Sequence, residues 1–262
     1  MIGRGRLGTS LAEALGASLR EGRAQDVPAI GENSIVFLAC PDPVIPELAA
    51  RLARAEPPRS AAFVHLSGAV GLEPLQALAE RGHATAAFHP MQSFPRARPR
   101  EAFEKSVITI QATTPELHDR LARLAETQLR SIPIRLEADG ESRARYHAAA
   151  VMASNYLIAL VDQAAQLLEG VGIPPERAIA TLAPLMRGVI QNLEETGSIE
   201  QSLIGPIRRG DVATVRSQRQ ALEPNRLQVD IYVTLGRAAL QLARRAGLEE
   251  ERALLIDEAL SD

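Results

Sequence analysis

Three polar side chains on one apolar helical stretch could do chemistry together. In Arg145-Tyr-His-Ala-Ala-Ala-Val-Met-Ala-Ser-Asn-Tyr-Leu157, His147 precedes Ser154 by seven residues and Asn155 by eight. That is about two helical turns, so an imidazole, a hydroxyl and a carboxamide share one face, with Tyr146 beside them. The imidazole titrates near neutrality and can hand over a proton, while the other two groups can orient a polar substrate. A buried polar network satisfying itself would place the same residue types at the same spacing, so both readings stay open on this helix alone. From Glu141 to about Glu169 there is no Gly or Pro and Ala and Leu dominate, which predicts one long helix.

A second constellation lies at the start of the chain. Gly3-x-Gly5-x-x-Gly8 runs directly into the helical pattern Leu7, Leu11, Ala12, Leu15. Glycines at this spacing let a backbone approach a pyrophosphate seated on helix N-terminal N–H groups, and Arg6 adds a cation there. Only Met1 and Ile2 stand before the turn, so the first strand is expected to be missing or a stub. No second strand and no acidic residue for a ribose hydroxyl is legible between Leu19 and Asn33. Dinucleotide binding, NADP or NAD, is therefore expected to be weak or absent.

The elements that position these groups follow from periodicity. Apolar runs at 34–40, 61–66, 84–88, 106–111 and 131–135 read as strands, and helical patterns at 44–55, 72–81 and 115–130 lie between them. Alternating strands and helices make a mostly parallel sheet covered on both faces. Pro41-Asp42-Pro43 ends the first of these strands, and polar clusters close the next two, His65-Leu-Ser67-Gly68 and His89-Pro-Met-Gln92-Ser93. Carboxyl ends of strands are where such sheets bind ligands. After residue 138 the chain reads as helix alone, so domains of 1–138 and 139–262 are expected. Ser202-Leu-Ile-Gly-Pro-Ile-Arg-Arg-Gly-Asp211 interrupts those helices; Asp211 can cap the next one, and Arg208 and Arg209 can meet an anion.

Composition excludes several functions. The net charge is −3 without a basic block, and aromatics are 3% with no Trp, so nucleic acid is not an expected partner. A single Cys, Cys40, rules out an internal disulfide, and no Cys/His spacing suits a metal site. Lys105 is the only lysine, so a lysine general acid would have to be that residue. No uninterrupted apolar run reaches 18 residues and no basic-then-apolar leader opens the chain, which points to a soluble, cytoplasmic protein with no membrane partner. The helices after His147 carry more apolar residues than they can cover themselves, and a homodimer through them is expected.

Taken in order, Gly3 to Gly8, His65 to Ala69, His89 to Phe94, His147 to Asn155 and Gly205-Pro-Ile-Arg-Arg-Gly-Asp211 resemble one family over nearly the whole chain. It is that of bacterial Rossmann-like proteins with a C-terminal helical domain of unknown function 2520. The resemblance implies an α/β Rossmann-like domain followed by an all-α domain of the 6-phosphogluconate dehydrogenase C-terminal type. It also implies a fold like those of ketopantoate reductases, pyrroline-5-carboxylate reductases and β-hydroxyacid dehydrogenases. The last group has a Lys four residues before an Asn on the equivalent long helix; here that position is Val151, and His147 would replace it.

Together these readings lead to an oxidoreductase that moves hydride between a nicotinamide and a small carbonyl, alcohol or imine. His147, Asn155 and Ser154 would be catalytic. Gly3, Gly5, Arg6, Gly8, Pro41, Ser67 and His89 would hold cofactor, and His65, Gln92, Ser93, Arg209 and Asp211 would meet the small-molecule substrate. The alternative is a non-catalytic dimeric binding protein with a degenerate nucleotide site.

Overall fold

The computed structural model describes residues 1–21, 29–137 and 140–261. The chain divides into two compact units, Met1–Leu157 and Ile158–Asp262. The expected boundary after residue 138 falls on residues 138–139, outside the described ones, and the compact division comes later. The first half of the long helix belongs to the sheet unit because its side chains are tied to strands, as shown below.

In the first unit, strands β1 (Ile35–Leu38), β2 (Ala62–His65), β3 (Thr85–Pro90), β4 (Val107–Ala112) and β5 (Ile132–Arg135) stand side by side in chain order. All neighbours are parallel except β3 and β4, which are antiparallel, with His89 opposite Thr109 and Ala87 opposite Gln111. The connecting helices are α1 (Arg6–Ala14), α2 (Ile45–Arg54), α3 (Gln76–Ala79) and α4 (Pro115–Leu124). α3 is a single turn led in by a 3-10 turn at Glu73–Leu75, shorter than the helix expected over 72–81.

The first strand is present as a stub. Ile2 forms parallel bridges with Leu38 on one side and Arg20 on the other. Ile2 N–H donates to Phe37 O (2.8 Å), Ala39 N–H to Ile2 O (2.7 Å), Gly3 N–H to Arg20 O (2.8 Å) and Arg20 N–H to Met1 O (2.9 Å). The chain thus leaves the stub for Arg20 on one side and returns through β1 on the other. That reversal is the topological switch point at which open α/β sheets take ligands. The expected absence of a second strand and ribose-binding acid falls partly on residues 22–28, outside the described ones.

Strand alternation sorts the side chains between two faces. Phe37, Val64, Phe88, Ile108 and Ile110 point into a core completed by Leu11, Phe103, Leu117 and Leu121. Ile2, Val36, Leu38 and Phe63 point into the opposite core with α2 residues Ile45, Leu48 and Leu52. On a two-residue period, His65, His89, Thr109 and Gln111 share the second face. There β3 and β4 present polar groups where the stub, β1 and β2 present apolar ones.

The long helix is interrupted at Ser154 into α5 (Gly140–Ala153) and α6 (Asn155–Gly170). Ser154 Oγ donates to Ala150 O (2.6 Å), the back-bonding by which a serine bends a helix. This corrects the expectation of one regular helix.

The second unit continues through α7 (Pro175–Thr196), α8 (Ile199–Ser202), α9 (Pro206–Arg209), α10 (Val212–Ala221), α11 (Arg226–Arg245) and α12 (Glu250–Ser261). Its core is small: Val215, Leu240, Ala253, Ile256, Ala259 and Leu260, all from α10, α11 and α12. No side chain of α6 is buried, and of α7 only Ala178 is.

Candidate functional site

The glycine turn is built for close approach. Gly3 has φ +113°, and a Cβ there would lie 2.2 Å from Ala39 O. A Cβ at Gly8 would meet Ala39 Cβ at 2.6 Å and Gly3 O at 2.7 Å. Both glycines are therefore required for the turn to rest on the end of β1. Gly5 is the N-cap of α1, with no side chain capping it, so the first N–H groups of the helix remain for a ligand. Arg6, the first helical residue, is exposed. Although only Met1 and Ile2 precede the turn, the stub is paired on both sides and gives it a hydrogen-bonded base. The turn, the uncapped helix end and Pro41 at the end of β1 fit a dinucleotide phosphate.

At the carboxyl end of β3, His89 Nδ1 and the Tyr146 hydroxyl are 2.7 Å apart, and Thr109 Oγ1 donates to the same hydroxyl at 3.0 Å. The His147 ring stands 6.3 Å from that of His89 and is half-exposed. Arg143, Tyr146 and His147 are spaced i, i+3 and i+4 on α5, so one helix face lies over one sheet face. His89 is also pressed on the backbone of Gly68: a Cβ there would be 2.7 Å from the imidazole. Only glycine at 68 lets the ring occupy this place.

Burial is the main electrostatic influence. It pushes His89 from its ordinary value down to about 4, helped by the charges of His147, Arg143 and His65. The imidazole is accordingly neutral at pH 7. In its Nδ1–H tautomer it donates to the phenol oxygen and leaves the phenol proton for a substrate; in the other tautomer it accepts that proton. Burial raises the Tyr146 phenol, opposed by the Thr109 hydrogen bond and the charge of Arg143. The arrangement can pass a proton between His89 and a group bound against Tyr146.

Other expected site residues are placed differently. His65 is fully buried; Nε2 meets Gly71 O at 2.6 Å and Nδ1 accepts from Ser67 N–H at 3.2 Å. With both nitrogens used it shapes the 65–71 turn and does not reach a substrate, which corrects its expected role. Ser67 Oγ donates to Asp42 Oδ2 (2.8 Å) and accepts from Ala69 N–H (3.1 Å), tying the ends of β1 and β2 together. Gln92 is exposed, bonded to Ala102 O and to Ser93 N–H, and Ser93 O accepts from Arg98; this pair holds the loop after β3. Ser154 also donates to Asn155 Oδ1 (3.0 Å), and none of the contacts among the described residues joins either to His147. The bend at Ser154 explains why the ideal helical spacing overstated their convergence.

In the second unit, Asp211 caps α10, accepting from Thr214 N–H (3.1 Å) and Oγ1 (2.8 Å), and this holds its carboxyl below the usual range. Both oxygens serve the cap, which corrects its expected substrate contact. Arg208 donates to Ala246 O (2.9 Å), while Arg209 lines a polar cavity of about 680 Å³ with Arg252 and Gln201.

Sequence reasoning passed over Thr109, Gln111, Asp42 and Arg143. The signal for the first two was available: Thr and Gln alternate with Val and Ile in 107–111, in the register that faces His89. Arg143 could have been found three and four residues before Tyr146 and His147.

With this geometry in view, the chain can be set beside known proteins. Residues 106–239 match the model of the domain of unknown function DUF2520, and residues 22–90 match that of the Rossmann-like domain. No curated protein matches the chain. Among solved structures, a candidate NADP oxidoreductase, BF3122 from Bacteroides fragilis, is 22% identical with a TM-score of 0.68, covering 94% of this chain and 95% of its own. Protein TM1727 from Thermotoga maritima is 26% identical with a TM-score of 0.66, covering 93% and 90%. Pyrroline carboxylate reductase from Plasmodium falciparum, with NADP bound, is 10% identical with a TM-score of 0.60, covering 97% and 96%. The first and third likenesses are ones of fold. The DUF2520 match spans just over half the chain and runs from β4 through the helices to α11, so the protein belongs to the DUF2520 family, with a Rossmann-like domain ahead of it.

Proposed function

We propose that the protein is an NADP- or NAD-dependent oxidoreductase acting on a small carbonyl, alcohol or imine, with Tyr146 as the group that gives or takes the proton. The observation that carries this reading is the coincidence of two features at the carboxyl ends of one sheet. A glycine turn closed on Ala39 lies at the switch point, and a neutral His89 bonded to Tyr146 lies two strands away. The fold it shares with an NADP-bound pyrroline carboxylate reductase supports the same reading.

The bound nicotinamide would supply hydride chemistry. Gly3, Gly5 and Gly8 admit its phosphates, and the N-terminus of α1 offsets their charge. Tyr146 would donate a proton to the oxygen or nitrogen that becomes basic on reduction, and His89 would return its Nδ1 proton to the phenol oxygen as Nε2 takes one up from solvent. Thr109 fixes the phenol. The test is turnover of NADPH with a panel of small carbonyl compounds and cyclic imines. Activity on one class, lost in Tyr146→Phe, is the expected result; no activity on any class, or full activity in Tyr146→Phe, would reject the reading.

We further propose a homodimer through α6 and α7. These helices expose Ile158, Leu160, Leu185, Val189 and Ile190, and an apolar groove of about 310 Å³ beside α6 is lined by Leu160, Leu167, Ile231 and Leu235. By length and composition alone Gly140–Gly170 is also apolar enough to cross a membrane. Two features favour a protein partner over a bilayer. The Arg143–His147 part of that stretch is bonded to the sheet, and Asp162, Gln163 and Gln166 form a hydrogen-bonded polar cluster midway along α6.

A further inference from the structure

Among the described residues Arg143 is the largest fully buried side chain, with no exposed surface. Its Nε donates to Gln111 Oε1 at 3.2 Å, but Nη1 and Nη2 are buried with no hydrogen-bond partner. None of the ion pairs among the described residues includes it, although Glu73 is near enough for its charge to be felt. A guanidinium in this state is costly, because burial removes hydration that only a counter-charge or full hydrogen bonding replaces. Such a group is kept where its uncompensated charge is used.

The surroundings show what could use it. Tyr146 lies one turn along the same helix face, and Gln111 and Thr109 are alternate residues of β4 on the same sheet face. Thr109 holds the phenol and Gln111 the guanidinium, so the two elements set charge and hydroxyl in fixed register. His89 from β3 faces the phenol, with the His147 ring 6.3 Å from that of His89, and the acids whose charge reaches Arg143 or His65, Glu73 and Asp42, follow β2 and β1. Arg143 presents no exposed atom, so its charge is felt through its neighbours.

We propose that Arg143 is the positioning cation of the proton donor: a guanidinium left without a counter-charge behind Tyr146, so that the negative charge remaining on the phenol oxygen after proton transfer is stabilised within the unit. The step balances with one proton drawn from solvent. The phenol O–H bond breaks, the proton goes to the substrate heteroatom, the electron pair stays on the phenolate beside Arg143, and His89 returns its Nδ1 proton to the phenol as Nε2 takes one up from water, so that the imidazole remains neutral. The inference rests on Tyr146 as proton donor, the reading proposed above.

The test is the titration of the Tyr146 phenol, followed by NMR of protein labelled at the tyrosine ring carbon bearing the hydroxyl. There are only three tyrosines, Tyr146, Tyr156 and Tyr232, and Tyr146→Phe identifies the relevant signal. In Arg143→Met the midpoint should rise by about one pH unit or more, a tenfold loss of phenolate at a given pH. In Arg143→Lys it should stay near its wild-type place. Arg143→Met should melt no lower than wild type, since an apolar side chain replaces an unpaired buried charge. An unmoved phenol titration in folded Arg143→Met would overturn the proposal. So would a large fall in its melting temperature or its failure to fold, either of which would make Arg143 a structural member. The titration reads the charge at the phenol directly, so it can fail while NADPH turnover stands, and turnover can fail while it holds.

Discussion

The two units treat apolar and polar side chains in opposite ways. The sheet unit buries apolar residues on both faces and encloses polar ones, Arg143, His65 and Thr109. The helical unit gathers a core only from α10, α11 and α12 and leaves Leu185, Ile190 and Ile158 in the open on α6 and α7. Large exposed apolar faces mark association surfaces, and enclosed polar groups mark chemistry. The difference teaches that the first unit uses its enclosure for polar groups, whereas the second leaves exposed the faces that the proposed dimer would cover.

That contrast can be broken by substitutions that should affect one unit's property and spare the other's. The largest effect is expected from Tyr146→Phe, which keeps the ring and removes the hydroxyl: the rate should fall by about 10²–10⁴. Its sedimentation should be unchanged. If rate and assembly fell together, the division of labour would be wrong. In the helical unit, Leu185→Asp should weaken dimerisation by at least about 30-fold, a hot-spot loss of roughly 2 kcal/mol. Sedimentation equilibrium at micromolar concentration would show monomer, and wild type behaving as monomer would remove the dimer altogether. The same change at the exposed edge of the sheet, Ile132→Asp, should shift stability by only about 0.5 kcal/mol and leave assembly intact.

A smaller effect sharpens the electrostatic side. His89 titrates near 4 when folded and near 6.5 when unfolded, so between these values the unfolded chain binds more protons. Its contribution to stability is complete above about pH 6.5 and is lost as pH falls toward 4, by something on the order of 1–3 kcal/mol. Denaturant melts across that window should slope accordingly, and His89→Gln should flatten them. An unchanged slope in the variant would place His89 in a far more hydrated setting.

Much of the sheet was legible because its signals are local. Continuous apolar runs such as Ser34–Cys40 and turn residues such as Pro41 determine strand ends within a residue or two, and His65 and His89 fall at strand ends as their neighbours require. The stub was legible as a stub, but its rigidity was not, since hydrogen bonds to Phe37, Ala39 and Arg20 come from elsewhere in the chain. The helix reading joined His147 to Ser154 and Asn155, whereas the structure sets its ring 6.3 Å from that of His89. A local hydrogen bond to Ala150 bends the helix there, and periodicity carries no trace of that. The Tyr146–His89 pair bridges residues 57 apart, and its recognition needed the antiparallel step between β3 and β4.

The central claim, that the glycine turn on Ala39 makes a dinucleotide site, is tested most directly by one equilibrium titration. NADPH fluorescence is followed against the 262-residue chain and against Gly3→Ala. The added methyl would lie 2.2 Å from Ala39 O at a φ of +113°, so the turn must open to accept it. Binding by wild type at about micromolar NADPH, weakened by 100-fold or more in the variant, is the predicted result, the loss being about 2.7 kcal/mol. No binding by wild type up to about millimolar NADPH, or equal binding by both proteins, would contradict it.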